Sequence, residues 1–151
     1  MKESKTISNL TETTIMMNRV FIDSNIWIYL FTSGDNIKNK TAKEFIYKSI
    51  ADNHVTVSYQ VINEVCCVLK KKSYTESEIR RIADDMAGLS EVCEYSLENI
   101  ILASMLREQH SFSYWDSQIV ASALLSQCDV LASEDMQNGL RVQNLRIISI
   151  F

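Results

Sequence analysis

The sequence predicts a single α/β domain in which a central parallel β-sheet is flanked by helices. Short runs of β-branched and apolar residues alternate with longer segments whose apolar residues recur every three or four positions, which indicates strands alternating with helices. Two of the strand-like runs, residues 20–22 and 130–132, break off just before carboxylates. In a parallel sheet these strand ends lie at one edge, where α/β proteins bind ligands.

The composition is that of an ordinary soluble domain. The chain has 151 residues, of which 46% are hydrophobic and 23% charged, and this suits one domain with one core. No apolar run approaches the roughly 20 residues of a membrane span. The first residues also lack the basic start and apolar middle of a secretory signal. We therefore expect a cytoplasmic protein that does not contact a membrane.

The net charge and the cysteines exclude some classes of protein. A net charge of −4 argues against a general nucleic-acid coat, so a polyanion would have to meet a local basic patch. The cysteines lack the Cys-x-x-Cys spacing of a zinc or redox site. We expect buried free thiols at all four positions, which are Cys66, Cys67, Cys93 and Cys128.

The first part of the chain predicts a tail, a strand and a helix. Residues 1–18 are polar and show no period, so we expect a mobile N-terminal tail and a folded domain over residues 19–151. A buried strand ends at Asp23. Because no Gly or Pro follows, the chain should turn directly into a helix capped by Ser24 or Asn25.

The next elements place a second carboxylate on a helix. A polar loop over residues 32–39 precedes a second helix that should end near Asn53, and residues 55–57 form a short strand. Ser58 can cap a third helix. Glu64 falls on or beside the apolar stripe of this helix, which consists of Val61, Val65, Val68 and Leu69.

Two helices and a short strand are expected next. A helix opens at Thr75 with acidic residues in its first turn and runs to about Gly88, and residues 92–95 form a strand. Apolar residues at helical spacing then predict a helix over residues 97–109.

The last elements carry two further acids. Asp116 should open a strongly amphipathic helix that ends near Gln127. Residues 130–132 form a buried strand that stops at Ser133, Glu134 and Asp135. After a turn at Gly139, residues 145–150 form the last strand.

Four carboxylates, Asp23, Glu64, Asp116 and Asp135, are predicted to face one cleft. Each has a plain structural explanation alone: Asp23, Asp116 and Asp135 as helix caps, and Glu64 as an edge residue. Together they would repel one another strongly unless a divalent cation lay between them. Ligands that offer only oxygen select hard cations such as Mg²⁺.

Four segments resemble the acidic motifs of PIN-domain nucleases, especially VapC-type toxins, in order and spacing over about residues 18–151. They are Val-Phe-Ile-Asp23-Ser24-Asn25, Val-Ser58-Tyr-Gln-Val-Ile-Asn-Glu64, Tyr-Trp-Asp116 and Leu-Ala-Ser133-Glu134-Asp135. One departure is Asn138, which stands where related sequences often carry a further acid.

The resemblance implies a PIN-like fold and the toxin of a type II toxin–antitoxin pair. This would be an endoribonuclease that depends on Mg²⁺ or Mn²⁺, forms a homodimer and binds a cognate antitoxin. Catalytic and metal-binding roles would fall on Asp23, Glu64, Asp116 and Asp135. Supporting roles would fall on Asn25, Ser133 and Glu134. Cleavage would leave 5′-phosphate and 3′-hydroxyl ends.

Basic and aromatic residues are candidates for RNA contacts, although a solvated face explains most of the basic ones. The basic candidates are Lys71, Arg80, Arg107 and Arg141. The aromatic residues that could stack on bases are Trp27, Tyr29, Tyr114 and Trp115, although Trp27 and Trp115 also suit core or dimer contacts.

Four alternatives are weaker. A DNA flap nuclease is disfavoured in so short a chain, which has no obvious extra arch or duplex-binding element. A receiver-like domain would need paired acids after the first strand, whereas Asp23 is alone there. A PIN-like interaction module without catalysis would have little use for all four acids. A metal-free ribonuclease with two histidines is disfavoured, because His54 precedes a strand and His110 ends a helix, where the helix dipole explains it.

Overall fold

A computed structural model describes residues 19–52 and 54–151. The segment 1–18, for which the sequence predicts a mobile tail, lies outside the described residues. So does Asn53, near which the second helix is expected to end.

The described residues form one mostly parallel six-stranded sheet, in the order β3-β2-β1-β4-β6-β5. Only β5 runs antiparallel, against β6. The predicted α/β architecture is therefore confirmed. The strands are β1 Arg19–Ile22, β2 His54–Ser58, β3 Glu91–Cys93, β4 Val130–Ala132, β5 Arg141–Val142 and β6 Leu145–Ile148.

Six helices within the described residues flank this sheet. They are α1 Ser24–Phe31, α2 Asn36–Asp52, α3 Tyr59–Lys71, α4 Glu76–Leu89, α5 Leu97–Gln109 and α6 Tyr114–Leu125. None of these helices combines the length and apolar composition needed to cross a membrane.

β1 lies in the middle of the sheet, between β2 and β4. Its Phe21 and Ile22 are fully buried, as are Leu131 on β4 and Ile147 on β6. Strands covered on both faces need continuous apolar runs, because neither face can present polar side chains to water.

Local capping explains where several helices begin. Asp23 is the N-cap of α1, so the predicted cap at Ser24 or Asn25 is wrong by one or two residues. Ser58 caps α3 as predicted, since its hydroxyl accepts a hydrogen bond from the N–H of Val61 at 3.3 Å.

Several element boundaries differ from the prediction, among them those of α2, β5 and β6. α2 begins at Asn36 rather than after residue 39, because the Asp35 carboxylate accepts hydrogen bonds from the N–H groups of Ile37 and Lys38. The two-residue strand β5 was not predicted, and it pairs with β6 through a tight turn containing Gln143 at a φ of 53°. β6 ends at Ile148 rather than at residue 150.

α6 differs from its prediction in start, end and burial. It begins at Tyr114 and is capped by Ser113, so Asp116 lies within its first turn and does not open the helix. It ends at Leu125, before the predicted end near Gln127. Seven consecutive residues, 117–123, are buried, so this helix is enclosed by protein and not amphipathic.

α5 has the predicted bounds, but most of its large apolar side chains face outward. Leu97, Ile101 and Met105 are 69%, 53% and 51% exposed. The buried side of the helix instead carries Ala103 and Leu106. The helix is therefore apolar on an open face, which we call the α5 apolar face and define by Leu97, Ile101 and Met105.

The cysteines are free thiols. Cys128 is buried and Cys66 and Cys93 are half-buried, but Cys67 is exposed. The prediction of buried thiols at all four positions is therefore wrong for Cys67, because the apolar stripe of α3 faces away from it.

Candidate active site

The sheet topology places two of the four acids side by side. Asp23 directly follows β1 and Asp135 lies three residues after β4, and these neighbouring parallel strands are in register at Ile22 and Ala132. The sheet extends from β1 to β2 and β3 on one side and to β4, β6 and β5 on the other. The boundary between β1 and β4 is therefore the topological switch point, at which open α/β sheets form a ligand crevice.

Asp23 is buried, with 7% of its surface exposed. One carboxylate oxygen accepts a hydrogen bond from the N–H of Ser24 at 2.7 Å, and the other accepts one from the Ser133 hydroxyl at 2.9 Å. Its own N–H donates to the carbonyl of Ala132. Both the backbone and the side chain of Asp23 are thus fixed against the end of β4.

Burial raises the pKa of Asp23 from an ordinary 3.8 to about 6. The hydrogen bonds from Ser24 and Ser133 oppose this rise, while the negative charges of Glu64 and Asp116 add to it. The folded protein therefore holds a destabilising negative charge at neutral pH. Such a charge favours any cation that can approach it.

Asp135 is exposed and is held by a neutral partner. The side-chain amide of Asn25 donates to one of its carboxylate oxygens at 2.6 Å. Asn25 is the second residue of α1, two positions after Asp23. The first turn of α1 therefore orients an acid that lies in the loop after β4.

Glu64 reaches the cleft from α3, and it is half-buried at the edge of the apolar stripe. The Gln60 amide, one helical turn earlier, donates to Glu64 at 2.9 Å and lies 3.3 Å from the carbonyl oxygen of Trp115. Gln60 therefore links α3 to the first turn of α6, which carries Asp116.

Asp116 is half-buried in the first turn of α6, and its N–H donates to the Ser113 hydroxyl at 3.1 Å. Burial raises its pKa, and the charges of Asp135 and Glu64 raise it further, while a hydrogen bond with Ser113 opposes the rise. Together with the mutual effects at Asp23, these shifts bring all four acids into one electrostatic group.

The helix-cap explanation accounts for only part of this group. Asp23 is a helix cap, but Ser113 caps α6 in place of Asp116. The structure has no helix after Asp135 within residues 136–151. Among the described residues none of the four acids pairs with a Lys or Arg.

The chemistry of the group suits a hard divalent cation, since every donor is a carboxylate oxygen and the charges repel one another. As the side chains stand, however, residues 19–52 and 54–151 contain no group of three or more His, Cys, Asp or Glu placed to hold a metal ion. Side-chain rotation about single bonds would be needed to bring the carboxylates to one ion.

Glu134 belongs to a contact network beside the acids. The Tyr29 hydroxyl donates to its carboxylate at 3.0 Å, and the Lys38 ammonium forms an ion pair with it. Lys38 also lies over the rings of Tyr29 and Phe151, at 5.3 and 5.4 Å from their centroids. We call Tyr29, Lys38, Glu134 and Phe151 the loop clamp, because their contacts hold Glu134, the residue between Ser133 and Asp135.

The predicted RNA-binding residues do not gather at the acids. Arg107 donates to the Ser117 hydroxyl at 2.7 Å and stacks over the Tyr114 ring. The other three, Lys71, Arg80 and Arg141, are exposed on α3, α4 and β5. Within the described residues none of the four contacts a cleft acid through a hydrogen bond or ion pair.

The aromatic candidates divide between core and surface. Trp27 is fully buried and donates to the carbonyl of Ile22 at 3.2 Å, so the core assignment is confirmed. Trp115 is 62% exposed, so it is not a core residue. Tyr114 packs edge-on against it, with 5.0 Å between the ring centroids.

Two cavities flank the acids. One, of about 730 Å³, is lined by Glu64 together with Tyr59, Gln60, Cys67, Tyr95 and Trp115. The other, of about 360 Å³, is lined by both Asp116 and Asp135 together with His110, Phe112, Met136 and Gln137. We call the second one the Phe112 cavity.

Sequence reasoning missed several residues of this site. Gln60 could have been found, because a Gln four residues before an acid on a helix is a recognised pair. Ser113 could have been found as a Ser three residues before an acid. No local signal links Lys38 to Glu134, since 96 positions separate them.

The sequence matches the PIN domain family over residues 20–138, which is most of the chain. The chain belongs to the PIN domain family. A search of curated proteins gives no match.

Solved structures share this PIN fold. One is the crystal structure of VapBC2 from Rickettsia felis bound to a promoter DNA fragment. It has a TM-score of 0.66 and 16% sequence identity to this chain, and the match covers 87% of this chain and 98% of that chain. A toxin–antitoxin complex from Klebsiella pneumoniae has a TM-score of 0.66 and 19% identity, with coverages of 87% and 98%. VapC20 from Mycobacterium tuberculosis, a sarcin-ricin loop cleaving toxin, has a TM-score of 0.58 and 19% identity, with coverages of 74% and 86%.

Proposed function

We propose that this PIN domain is an endoribonuclease that depends on Mg²⁺ or Mn²⁺ and serves as the toxin of a type II toxin–antitoxin pair. The observation that carries the proposal is the group of four carboxylates at the switch point of the sheet, without a Lys or Arg partner among the described residues. The repulsion between these carboxylates would only destabilise a domain that binds no cation. A bound divalent cation would offset the repulsion, so a cation site explains why the carboxylates are gathered.

Asp23, Glu64, Asp116 and Asp135 would hold the cation. When bound, a divalent cation polarises a phosphate and lowers the pKa of a water for in-line attack. Ser133 and Asn25 keep Asp23 and Asp135 pointed into the cleft, and each supplies a neutral donor that adds no competing positive charge. Attack by water on RNA would leave 5′-phosphate and 3′-hydroxyl ends.

The proposed partners are a cognate antitoxin and a second copy of the chain. Two of the structural neighbours are VapBC assemblies or toxin–antitoxin complexes, and an antitoxin that covers the acidic cleft would block access of RNA. The α5 apolar face supports a homodimer, because contiguous exposed apolar surface on a small domain marks an interaction site.

Cleavage of end-labelled single-stranded and hairpin RNA by the purified protein tests the function. We expect cutting with Mg²⁺ or Mn²⁺, none in a chelator, and none by Asp116→Asn. Asp84→Asn, which changes an exposed acid on α4, is the matched control and should cut like the wild type. Products that end in 2′,3′-cyclic phosphate would overturn the metal-dependent mechanism.

Growth and co-purification test the toxin assignment. Expression of the chain alone should slow growth, and a small protein encoded beside it should relieve this and co-purify. Asp116→Asn should lose the growth effect but still bind the neighbour. Failure of the neighbour to form a complex with the active protein would refute the antitoxin assignment while leaving the nuclease assignment in place.

A further inference from the structure

We propose that the Phe112 cavity is a subsite for one RNA base, that of a nucleotide next to the cleaved phosphate. The proposal rests on the proposed ribonuclease function and deepens it. The cavity is about 360 Å³, within the usual range of roughly 300–1,000 Å³ for small-molecule sites. Because Asp116 and Asp135 line both the cavity and the candidate active site, a phosphate held at these acids would place a neighbouring base at the cavity.

The walls of the cavity suit an aromatic ligand. His110 and Phe112 are half-buried, and their ring centroids lie 5.4 Å apart. Met136, only 7% exposed, adds a polarisable apolar surface. Proteins bind unpaired bases by stacking them on such side chains.

The rim of the cavity suits the edge of a base. Gln137 and Gln109 line it with exposed side-chain amides. Each amide offers both a donor and an acceptor, which can match the hydrogen-bonding edge of a base.

The charges on the cavity favour a base over other occupants. Its lining includes two carboxylates and contains no Lys or Arg, so a phosphate without a cation would be repelled. A base is neutral and aromatic, and it is tethered to the phosphate by one sugar. The larger cavity is lined by Glu64 but by neither Asp116 nor Asp135, so it adjoins only one of the four acids.

The cavity is also built into the segments that carry the acids. His110 and Phe112 lie three positions and one position before Ser113, the cap of the helix that carries Asp116. Met136 and Gln137 directly follow Asp135. A base bound here would therefore contact the same two segments that orient the acids, and its identity could affect the rate of cleavage.

Abasic substitution combined with mutation tests the proposal. RNA oligonucleotides are made with one abasic nucleotide at each position around the cleavage site, and kcat/KM is measured for the wild type and Phe112→Ala. We expect one abasic position to lower wild-type kcat/KM by about 5- to 150-fold, as stacking energies predict. Phe112→Ala should cause a similar loss on intact RNA and little further loss on that abasic RNA.

Further variants guard against misfolding. Gln137→Ala changes an exposed side chain and should lower kcat/KM several-fold for some bases at that position and not for others. Tyr47→Ala removes an exposed aromatic residue of α2 and should leave cleavage unchanged. The subsite would be overturned if Phe112→Ala lowered kcat/KM equally on intact and abasic RNA and Gln137→Ala left the base preference unchanged.

A binding experiment separates this proposal from the function on which it rests. Nucleoside 5′-monophosphates are titrated in Mg²⁺ while the ring signals of His110 are followed by NMR. Chemical-shift changes that disappear in Phe112→Ala would support the subsite even if no RNA is cut. The absence of RNA cleavage would refute only the nuclease assignment. If Phe112→Ala instead weakens only the antitoxin complex and RNA cleavage is unaltered, the cavity binds protein and the proposal is wrong.

Discussion

The Ser133 hydroxyl donates to the Asp23 carboxylate at 2.9 Å and so joins the ends of β1 and β4 across 110 positions of sequence. Asn25 makes a parallel contact with Asp135, and Tyr29 makes another with Glu134. Three consecutive residues after β4 are thus each bound by one side chain from the β1–α1 segment. Asp23 and Asp135 are held by neutral donors, so their charges stay uncompensated, whereas Glu134 is also paired with Lys38.

Asp23→Asn should stabilise the protein at neutral pH. The pKa of Asp23 is about 6 in the folded state against an ordinary 3.8, so the folded protein binds an extra proton between these values and its stability falls as pH rises through them. The pKa difference corresponds to about 3 kcal/mol at pH 7. Because Asn gives up one of the two carboxylate acceptors, we expect a net gain of about 0.5–2 kcal/mol that shrinks towards zero below pH 3.8. Urea unfolding across this pH range measures it. The Asn amide keeps the acceptor that caps α1.

The control for this variant is Asp84→Asn, which neutralises an exposed acid on α4. Its unfolding free energy should stay close to that of the wild type. If Asp23→Asn also leaves the midpoint unchanged at every pH, Asp23 is only a helix cap.

Asp116→Asn should abolish most of the stabilisation by Mg²⁺. The wild type should unfold at higher urea as Mg²⁺ increases, because the ion binds the folded protein and not the unfolded chain. In Asp116→Asn the metal-free protein should be more stable by about 0.5–2 kcal/mol, as less repulsion remains. Paired urea melts with Mg²⁺ and with a chelator test this. An unchanged Mg²⁺ response would remove Asp116 from the metal site.

Tyr29→Phe should loosen the loop clamp. It removes the hydroxyl that donates to Glu134 at 3.0 Å, and the loss should cost about 1 kcal/mol. Because Glu134 adjoins Asp135, the Mg²⁺ concentration for half-maximal RNA cleavage should also rise.

Tyr74→Phe is a matched control for the loop clamp. Its hydroxyl donates to the carbonyl of Phe31 at 3.1 Å, away from the acids, so the stability loss should be similar but the Mg²⁺ requirement should not change. An equal change of Mg²⁺ requirement in both variants would show a general effect of stability.

Ile101→Glu should separate a homodimer into monomers. It places a charge on the α5 apolar face without removing a core contact, because Ile101 is 53% exposed. Sedimentation or light scattering should report a dimer for the wild type and a monomer for the variant, with the unfolding free energy of the monomer retained. Ile37→Glu, at a 79% exposed position on α2, should remain dimeric. A monomeric wild type would refute the homodimer.

The sequence was most informative where local pattern and topology agree. The order of strands and helices was predicted because their periods differ, and the edge of the sheet followed from parallel pairing. Asp23 and Asp135 could therefore be placed near each other before any coordinates. The resemblance implies a supporting role for Ser133 without naming its partner, and the contact with Asp23 identifies that partner.

The predictions that were wrong or missing concern features that depend on contacts between residues distant in sequence. Apolar spacing on α5 predicted a helix, but spacing cannot tell whether Leu97 and Ile101 face the core or solvent. The enclosure of α6 depends on what packs around it. Lys38 binds Glu134 only because α2 crosses near the loop after β4, a relation that no local pattern carries.

The position of β1 between β2 and β4 fixes when a newly made chain can assemble the acidic cleft. β1 is complete at Ile22, but β4 begins only at Val130. At roughly 5–20 residues per second, synthesis leaves β1 without that neighbour for about 5–20 s. The acids of the cleft cannot meet until translation has passed Asp135. A product released before Val130 would therefore carry an open, apolar sheet edge at β1 and no assembled cleft, which would make it a substrate for proteases and chaperones.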